Sequence, residues 1–261
     1  MSLLSGKTGL IFGVANDRSY AFHIAAALKE QGATCAFTSL PGEKNERRTR
    51  KAMEKLGLGD GWLHPCDAGS DDDLNAVFEA YTKDHERLDF LIHSIAFADR
   101  EWLAPGKFTE TPRASYLSAV DISAYTLAAM AHRAREPMTA SGGGSILAMS
   151  YYGAEKVVPG YNVMGVAKAA LECTSRYLAA ELGARNIRVN TISGGPLRTL
   201  ASSAVGGIDT MLERTPEKAP LQRNVEGSDV GGAAAFLVSD LAAGVTGENL
   251  YVDCGVSTIG V

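Results

Sequence analysis

The sequence has few aromatic residues and no long apolar run, and both shortages narrow the classes of protein it can belong to. Only 7% of its 261 residues are aromatic, whereas 46% are hydrophobic and 28 are glycine, a balance that suits close packing of helices on a sheet. No apolar run approaches the ~18 residues that a membrane span requires. The N-terminal MSLLSGKTGLIFG leads straight into a strand pattern without a secretory signal. We therefore expect a cytoplasmic protein with no membrane partner.

Cysteine, histidine and positive charge are also too sparse for several kinds of site. The four cysteines lack CxxC or zinc spacing, and the five histidines lie far apart in the sequence, so we expect no metal and interpret the cysteines as small buried hydrophobic residues. The net charge of −5 provides no basic surface for phosphates. We expect no nucleic-acid partner.

Short apolar runs alternate with helical patterns along the chain. Because parallel strands need crossover connections, this alternation predicts a single α/β domain over residues 1–261: a doubly wound parallel sheet of about seven strands with helices on both faces. Its ligand is expected beyond the carboxyl ends of the strands. The strands are predicted at residues 8–12, 34–39, 62–66, 88–94, 145–149, 188–193 and 249–252.

Helical patterns fill the intervals between these runs, and two serines stand where a helix N-cap is expected. Ser70 precedes Asp73 by the three residues of a capping box, and Ser228 is predicted to cap the last helix. Helices are predicted at residues 19–31, 43–56, from 70 onward, 112–135, 161–182 and 228–239.

A tyrosine and a lysine stand seven residues apart near the start of one predicted helix. Tyr161 and Lys168 are separated by close to two helical turns, so both side chains are expected on one face. A cation there favours the phenolate, so the pKa of Tyr161 is expected below the ordinary value of ~10. Such a phenol is a candidate proton donor or oxyanion partner.

Small and polar residues follow several predicted strands and suit a dinucleotide. The turn GVANDRSYA offers Gly13, Ala15 and Ser19 at a helix N-terminus, which favours a pyrophosphate. Asp67 can accept a hydrogen bond from adenine. Residues 202–216 lack periodicity, which suggests a mobile substrate lid around 199–216. Ser94, Ile95 and Ala96 permit backbone approach to a ribose, and the segment GGPLRTLA bends at Pro196.

Taken together, the segments GVANDRSYA, HSIA, SYYGAEKVVPGYNVMGVAK and SGGPLRTLA resemble the enoyl-(acyl carrier protein) reductases, a branch of the short-chain dehydrogenase/reductase superfamily. The resemblance runs over essentially the whole chain. Ordinary members of the superfamily carry TGxxxGxG, NNAG and YxxxK; the departures here, including six residues between tyrosine and lysine, are typical of the enoyl reductases. The resemblance implies a Rossmann-type fold and a homotetramer.

The resemblance also implies roles for individual residues. Tyr161 would meet the thioester carbonyl of a trans-2-enoyl chain on acyl carrier protein, Lys168 would hold the nicotinamide ribose, and Tyr151 would be a second active-site tyrosine. Ala98 falls at an acyl-contacting position. Positions that contact NAD in the family correspond to Gly13, Ser19, Tyr20 (usually isoleucine), Asp67, Ala68, Ile95, Leu197, Arg198, Thr199, Leu200 and Ala201.

The choice of cofactor and two other functions stay open at this point. NADH is expected, with NADPH as the alternative, because Leu40 replaces a common glutamine while Lys44, Arg47 and Arg48 lie close enough in sequence to serve a 2′-phosphate. One other function is a carbonyl or alcohol dehydrogenase, against which the long tyrosine-to-lysine spacing argues. The other is a dinucleotide-sensing module without catalysis, against which retention of both tyrosines and the lysine argues.

Overall fold

Seven strands form one parallel sheet in the computed structural model, which describes residues 2–199 and 208–260. In chain order they are β1 Thr8–Phe12, β2 Thr34–Ser39, β3 Leu63–Pro65, β4 Phe90–His93, β5 Gly144–Ser150, β6 Ile187–Gly194 and β7 Asn249–Val252. They stand in the order β3-β2-β1-β4-β5-β6-β7, and every neighbouring pair is parallel. The strand order reverses between β1 and β4, which confirms the doubly wound sheet.

The described residues form eight α-helices. They are α1 Tyr20–Glu30, α2 Glu43–Lys55, α3 Asp71–Asp84, α4 Arg113–Val120, α5 Thr126–Ala140, α6 Asn162–Leu182, α7 Ile208–Lys218 and α8 Gly227–Val238. Of these, α1, α2, α3, α5, α6 and α8 contribute to the cores on the sheet. Short 3₁₀ turns occur at Arg100–Leu103, Phe108–Glu110, Tyr152–Ala154, Gly183–Arg185, Asp240–Ala242 and Val256–Thr258. Among these described helices, none could serve as a membrane span.

The two faces of the sheet pack against different helices because successive strand side chains point to opposite sides. Ile11 belongs to a core shared with Ile24 of α1 and Val230 of α8. Its neighbour Leu10 belongs to a second core with Leu171 of α6, to which α3 and α5 also contribute. Both faces are buried, which explains why the strands are continuous apolar runs.

One predicted helix cap is confirmed and another is wrong. The Ser70 hydroxyl accepts a hydrogen bond from Asp73 N at 3.2 Å and caps α3 as expected. For α8 the N-cap is Glu226, two residues before the expected Ser228, and Asp229 Oδ2 accepts from Glu226 N at 2.8 Å. The acidic pair forms a reciprocal capping box, so Ser228 lies inside the first turn.

The long helix predicted over 112–135 differs from a plain α-helix. A π-helical turn, Asp121–Tyr125, joins α4 to α5, and α5 continues to Ala140. The Thr126 hydroxyl donates to Ile122 O at 2.7 Å, a side-chain bond that competes with the regular backbone pattern. A second difference concerns the cysteines, since Cys173 is exposed while the other three are buried.

Candidate active site

The carboxyl ends of five strands bring the predicted site residues to one edge of the sheet. Gly13 follows β1, Asp67 lies two residues beyond β3, Ser94 follows β4, Ser150 ends β5 and Gly194 ends β6. Because all neighbouring strands are parallel, these ends lie on the same edge. The structure therefore brings these predicted residues to one edge of the sheet, and their binding role stays a prediction.

Two tyrosines meet at this edge. The ring centroids of Tyr151 and Tyr161 lie 4.9 Å apart at an interplanar angle of 66°, an edge-to-face contact. Tyr161 occupies the N-cap position of α6, is only 8% exposed and packs in an apolar cluster with Val163, Met164 and Ala167. Tyr151 and the predicted substrate and ribose residues Ala98 and Ala96 pack against the same cluster.

Lys168 lies two turns further along α6 and is also buried. It is 5% exposed, and its Nζ donates to Met149 O at the end of β5 at 2.7 Å. Burial lowers the pKa of Lys168 to about 8, while the carboxylate of Glu172 acts in the opposite direction. The side chain therefore presents a cation below pH ~8, held in place by the strand that precedes Tyr151.

The expectation that Lys168 lowers the pKa of Tyr161 is wrong for this structure. Burial raises the pKa of the Tyr161 phenol, and the neighbouring Tyr151, Glu172 and Tyr20 raise it further. The Lys168 ammonium donates to Met149 O and does not offset this burial. Tyr161 is therefore a neutral O–H donor over the whole neutral range.

The turn after β1 has the features that a pyrophosphate needs. Gly13 has a φ of +101°, and a Cβ there would lie 2.1 Å from Ser94 O, so only glycine permits this approach of the two strand ends. Ala15, also predicted for the cofactor, donates its N–H to Gly13 O at 2.8 Å. Ser19 caps α1, whose first turn carries no acidic residue. A helix N-terminus of this kind fits an anionic group.

Tyr20 contributes more than the backbone contact expected from its position. Its hydroxyl donates to Gly195 O, and a Cβ on Gly194 would lie 3.0 Å from the Tyr20 ring. The half-buried phenol thus links the start of α1 to the segment that leaves β6. Burial raises the pKa of this phenol, so it stays a neutral donor.

The adenosine end of the predicted site is open. Asp67 is exposed and its Oδ1 accepts from Gly69 N at 3.0 Å, which orients the carboxylate at the end of β3. Ala68 beside it is buried, and Leu40 after β2 is 57% exposed. Ile95 packs against the core that contains Ala68. The basic residues near this end, Lys44, Arg47 and Arg48, lie exposed on α2.

On the side of the predicted site opposite Asp67, the segment that follows β6 contacts helix α7. Arg198 pairs with Asp209 of α7, Nη2 to Oδ1 at 2.5 Å, and Tyr151 Oη lies 3.7 Å from Met211 Sδ. The predicted residues Pro196, Leu197 and Thr199 lie in the segment that Arg198 anchors. Leu200 and Ala201, also predicted to bind the cofactor, lie outside the described residues.

Two buried titratable residues beside this site, Glu172 and His93, were missed by the sequence analysis. Glu172 is 7% exposed and its Oε1 accepts from Ser150 Oγ at 2.5 Å. His93 Nε2 donates to Thr126 Oγ1 at 2.8 Å, because that hydroxyl already donates to Ile122 O. Burial and then Lys168 lower the pKa of His93 to about 3, so it is neutral. The four-residue spacing of Lys168 and Glu172, which places both side chains on one face of a helix, was the sequence signal that could have identified Glu172.

Comparison with known proteins places the chain among proteins of one family. A family model described as enoyl-(acyl carrier protein) reductase matches residues 13–257. The enoyl-(acyl carrier protein) reductase [NADH] of Nostoc sp. is 47% identical over 260 residues, 99% of both chains. The corresponding [NADPH] protein of Staphylococcus aureus MRSA252 is 47% identical over 256 residues, 98% of both chains.

Solved structures agree with these sequence matches. The Bacillus cereus enoyl-acyl carrier protein reductase, solved with NADP⁺ and indole naphthyridinone, is 46% identical with a TM-score of 0.95 over 100% of both chains. The reductase of Anaplasma phagocytophilum, solved in complex with NAD, is 45% identical with a TM-score of 0.93 over 99% of this chain and 97% of the other. Sequence and backbone therefore point to the same group of proteins.

Proposed function

Because the chain belongs to the enoyl-(acyl carrier protein) reductase family, we propose that it reduces the carbon–carbon double bond of trans-2-enoyl thioesters on acyl carrier protein, the last step of the fatty acid elongation cycle. The observation that carries this conclusion is the contact of Tyr151 with Tyr161 in an apolar cluster, close to a buried lysine on the same helix. An apolar cluster with a single kind of polar group, the phenol, suits an acyl thioester.

The cofactor site runs along the strand ends. Gly13, Ala15 and the N-terminus of α1 would hold the pyrophosphate, and Asp67 and Ala68 would contact the adenine. The ribose and nicotinamide side would be held by Ser94, Ile95, Ala96 and Lys168, together with Tyr20 and the predicted residues 196–201. When bound, NADH or NADPH supplies the hydride for the β-carbon of the enoyl chain. Two observations support this placement of the cofactor. Gly13 approaches Ser94 too closely for any residue with a Cβ, and the first turn of α1 carries no acidic residue that would repel a pyrophosphate.

Tyr161 is the group that meets the thioester carbonyl. Its Oη is a neutral donor, since burial keeps its pKa high, and it donates a hydrogen bond to the carbonyl oxygen. That bond strengthens as negative charge develops on the oxygen, which is the kind of interaction that lowers a barrier. The phenolic proton stays on Oη until the oxygen becomes basic enough to share it.

Lys168 and Tyr151 support this step from two sides. The Lys168 ammonium, fixed by Met149 O, holds ribose hydroxyls and provides positive potential. Burial raises the pKa of Tyr151 to about 12, so it orients substrate as a neutral donor. Ala98 lines the acyl side of the apolar cluster.

The proposed substrate lid spans residues around 199–216, of which residues 200–207 lie outside the described part of the chain. The described part of this lid belongs to α7, whose Met211 approaches Tyr151 and whose Asp209 pairs with Arg198. Because Met211 contacts Tyr151 and Asp209 pairs with Arg198, the position of α7 depends on both the substrate side and the cofactor side of the site. Acyl carrier protein would deliver the thioester beside α7, next to Tyr151.

The protein acts in the cytoplasm as a homotetramer. Two aromatic side chains are exposed in the single chain: Tyr125 of the π-helical turn is 56% exposed and Tyr177 of α6 is 76% exposed. Exposed apolar groups clustered on adjacent helices are typical of a subunit interface. Burial against a second copy would remove this apolar surface from water.

A cofactor and substrate titration tests the proposed function. Crotonyl and longer trans-2-enoyl thioesters, mixed with protein and either NADH or NADPH, should lower absorbance at the nicotinamide band in proportion to substrate consumed. The ratio of kcat/KM for the two cofactors gives the preference. No absorbance change with either cofactor, or oxidation of an alcohol instead, would remove the proposal in favour of a sensing module or an alcohol dehydrogenase.

A further inference from the structure

Glu172 is a buried carboxylate that the proposed reaction does not use. It is 7% exposed, on the side of α6 that faces the sheet. Ser150 Oγ donates to its Oε1 at 2.5 Å and Asn249 Nδ2 donates to the same oxygen at 3.2 Å. Burying a carboxylate is unfavourable unless hydrogen bonds and opposite charge compensate it. Ser150 and Asn249 provide the hydrogen bonds that the Glu172 carboxylate needs. The positive charge that compensates its burial has still to be identified.

Polar side chains of β5, β6 and β7 lie beneath Glu172: Ser150 and Asn249 donate to it, and Thr191 donates to Asn249 Oδ1 at 2.8 Å. Ser150 of β5 pairs in register with Ser193 of β6, which pairs with Tyr251 of β7. Earlier on the same face lie Ile146 and Ala148, which pack with Leu171 of α6 in an apolar core. Hydroxyl and amide groups therefore gather beneath this turn of α6, next to the strand end that carries Tyr151.

Lys168 and Glu172 hold the same strand end from the same helix. They are four residues apart, which places them on one face of α6. Lys168 Nζ donates to Met149 O, and the next residue, Ser150, donates to Glu172. Tyr151 follows immediately. The charged pair thus fixes two consecutive residues directly before an active-site tyrosine.

We propose that Glu172 is a positioning residue of the reaction: its carboxylate fastens the end of β5 to α6 and β7 and supplies the counter-charge to the ammonium of Lys168. This inference rests on the proposed function, because Lys168 matters to turnover only if the site performs the reduction. It assigns a task to the buried carboxylate that hydrogen bonding to Ser150 alone does not require, since a neutral amide could also accept that bond.

The charged surroundings of Glu172 determine the direction of the effect. Burial raises the pKa of Glu172 and Glu155 adds to this, whereas Ser150, Arg176 and Lys168 favour the carboxylate. Glu172 in turn raises the pKa of the phenols of Tyr161 and Tyr251. Within this set, Lys168 is the buried cation, and Glu172 is the group that opposes the lowering of its pKa.

The experiment measures the titration of Lys168 directly, in cofactor-free protein with ¹³C-labelled lysine, and assigns the resonance with Lys168→Met. Glu172→Gln keeps the shape and the hydrogen-bond acceptor but removes the charge, so the Lys168 titration should move down by about one pH unit. Glu181→Gln, an exposed site on the same helix, should leave it unchanged. An unchanged titration in Glu172→Gln would overturn the inference.

A second variant separates charge from packing. Glu172→Asp retains the charge but shortens the side chain, so it should keep the Lys168 titration within a few tenths of a pH unit of the unmutated protein. A fall as large as that expected for Glu172→Gln would overturn the inference even if the glutamine variant does not fold.

Turnover gives the matching kinetic result. The alkaline limb of kcat/KM should move down with the Lys168 titration in Glu172→Gln and stay in place in Glu181→Gln. If the unmutated protein reduces no enoyl thioester with either cofactor, the proposed function fails, whereas the Lys168 titration still decides whether Glu172 is its counter-charge.

Discussion

Replacement of Lys168 by methionine removes a buried ammonium while keeping most of the side-chain volume. Burial places the pKa of Lys168 at about 8 instead of the ordinary 10.5. At about 1.4 kcal/mol per pH unit, the difference corresponds to roughly 3 kcal/mol. Below pH ~8 the lysine is charged in both folded and unfolded chains, so the folded state carries the full penalty of burial.

The sign of the pH dependence follows from which state loses its proton first. Between about pH 8 and 10.5 the folded lysine is neutral while the unfolded one is still charged, so the unfolded state binds more protons and stability rises with pH. Relative to Lys168→Met, the unmutated protein should therefore gain roughly 2–3 kcal/mol of unfolding free energy from pH 7 to pH 10.

Urea unfolding of both proteins without cofactor, at pH 7, 8, 9 and 10, measures this difference. Comparing the two proteins at each pH cancels the other titrating groups. A constant difference across the whole range would refute the reasoning, because it would mean that the buried lysine titrates as an ordinary one. The methionine variant should also lose most enoyl reduction at every pH.

Three further changes test other parts of the site. Gly13→Ala, whose Cβ would lie 2.1 Å from Ser94 O, should lower stability by about 2 kcal/mol or more and weaken NADH binding; calorimetry that finds unaltered binding would contradict the close approach. Tyr20→Phe removes the hydroxyl that donates to Gly195 O and should raise KM for the cofactor a few-fold with little change in kcat. An unchanged KM would show that this hydrogen bond does not contribute to cofactor binding. Tyr177→Asp should dissociate the proposed homotetramer in sedimentation, and a tetramer that persists in this variant would exclude the Tyr177 face as the subunit interface.

Local sequence patterns were sufficient to predict where the strands lie. The runs at Thr8–Phe12 and Asn249–Val252 agree with the prediction to the residue, because short apolar segments between turn signals have few other ways to bury both faces. The Ser70 cap was also predictable, since its hydrogen bond to Asp73 is local. The Ser228 cap was not, because Glu226 and Asp229 compete for the same helix end.

The chemistry of the site depended on contacts that no local pattern contains. The pKa of Tyr161 is set by how deeply the fold buries the phenol, and a seven-residue spacing says nothing about burial. Lys168 and Glu172 have the spacing of an exposed ion pair on a helix surface. Only the packing of α6 over Met149 and Ser150 of β5 and Asn249 of β7 buries both side chains.

In the proposed reaction, the Tyr161 phenol stabilises negative charge on the thioester carbonyl during reduction by NADH. Tyr161→Phe keeps the ring and its contact with Tyr151 but removes the donor. We expect a loss in kcat on the order of 10²-fold with trans-2-enoyl thioester, while NADH binding measured by fluorescence stays within about twofold of the unmutated protein. A phenylalanine variant that turns over as fast as the unmutated protein would contradict the account.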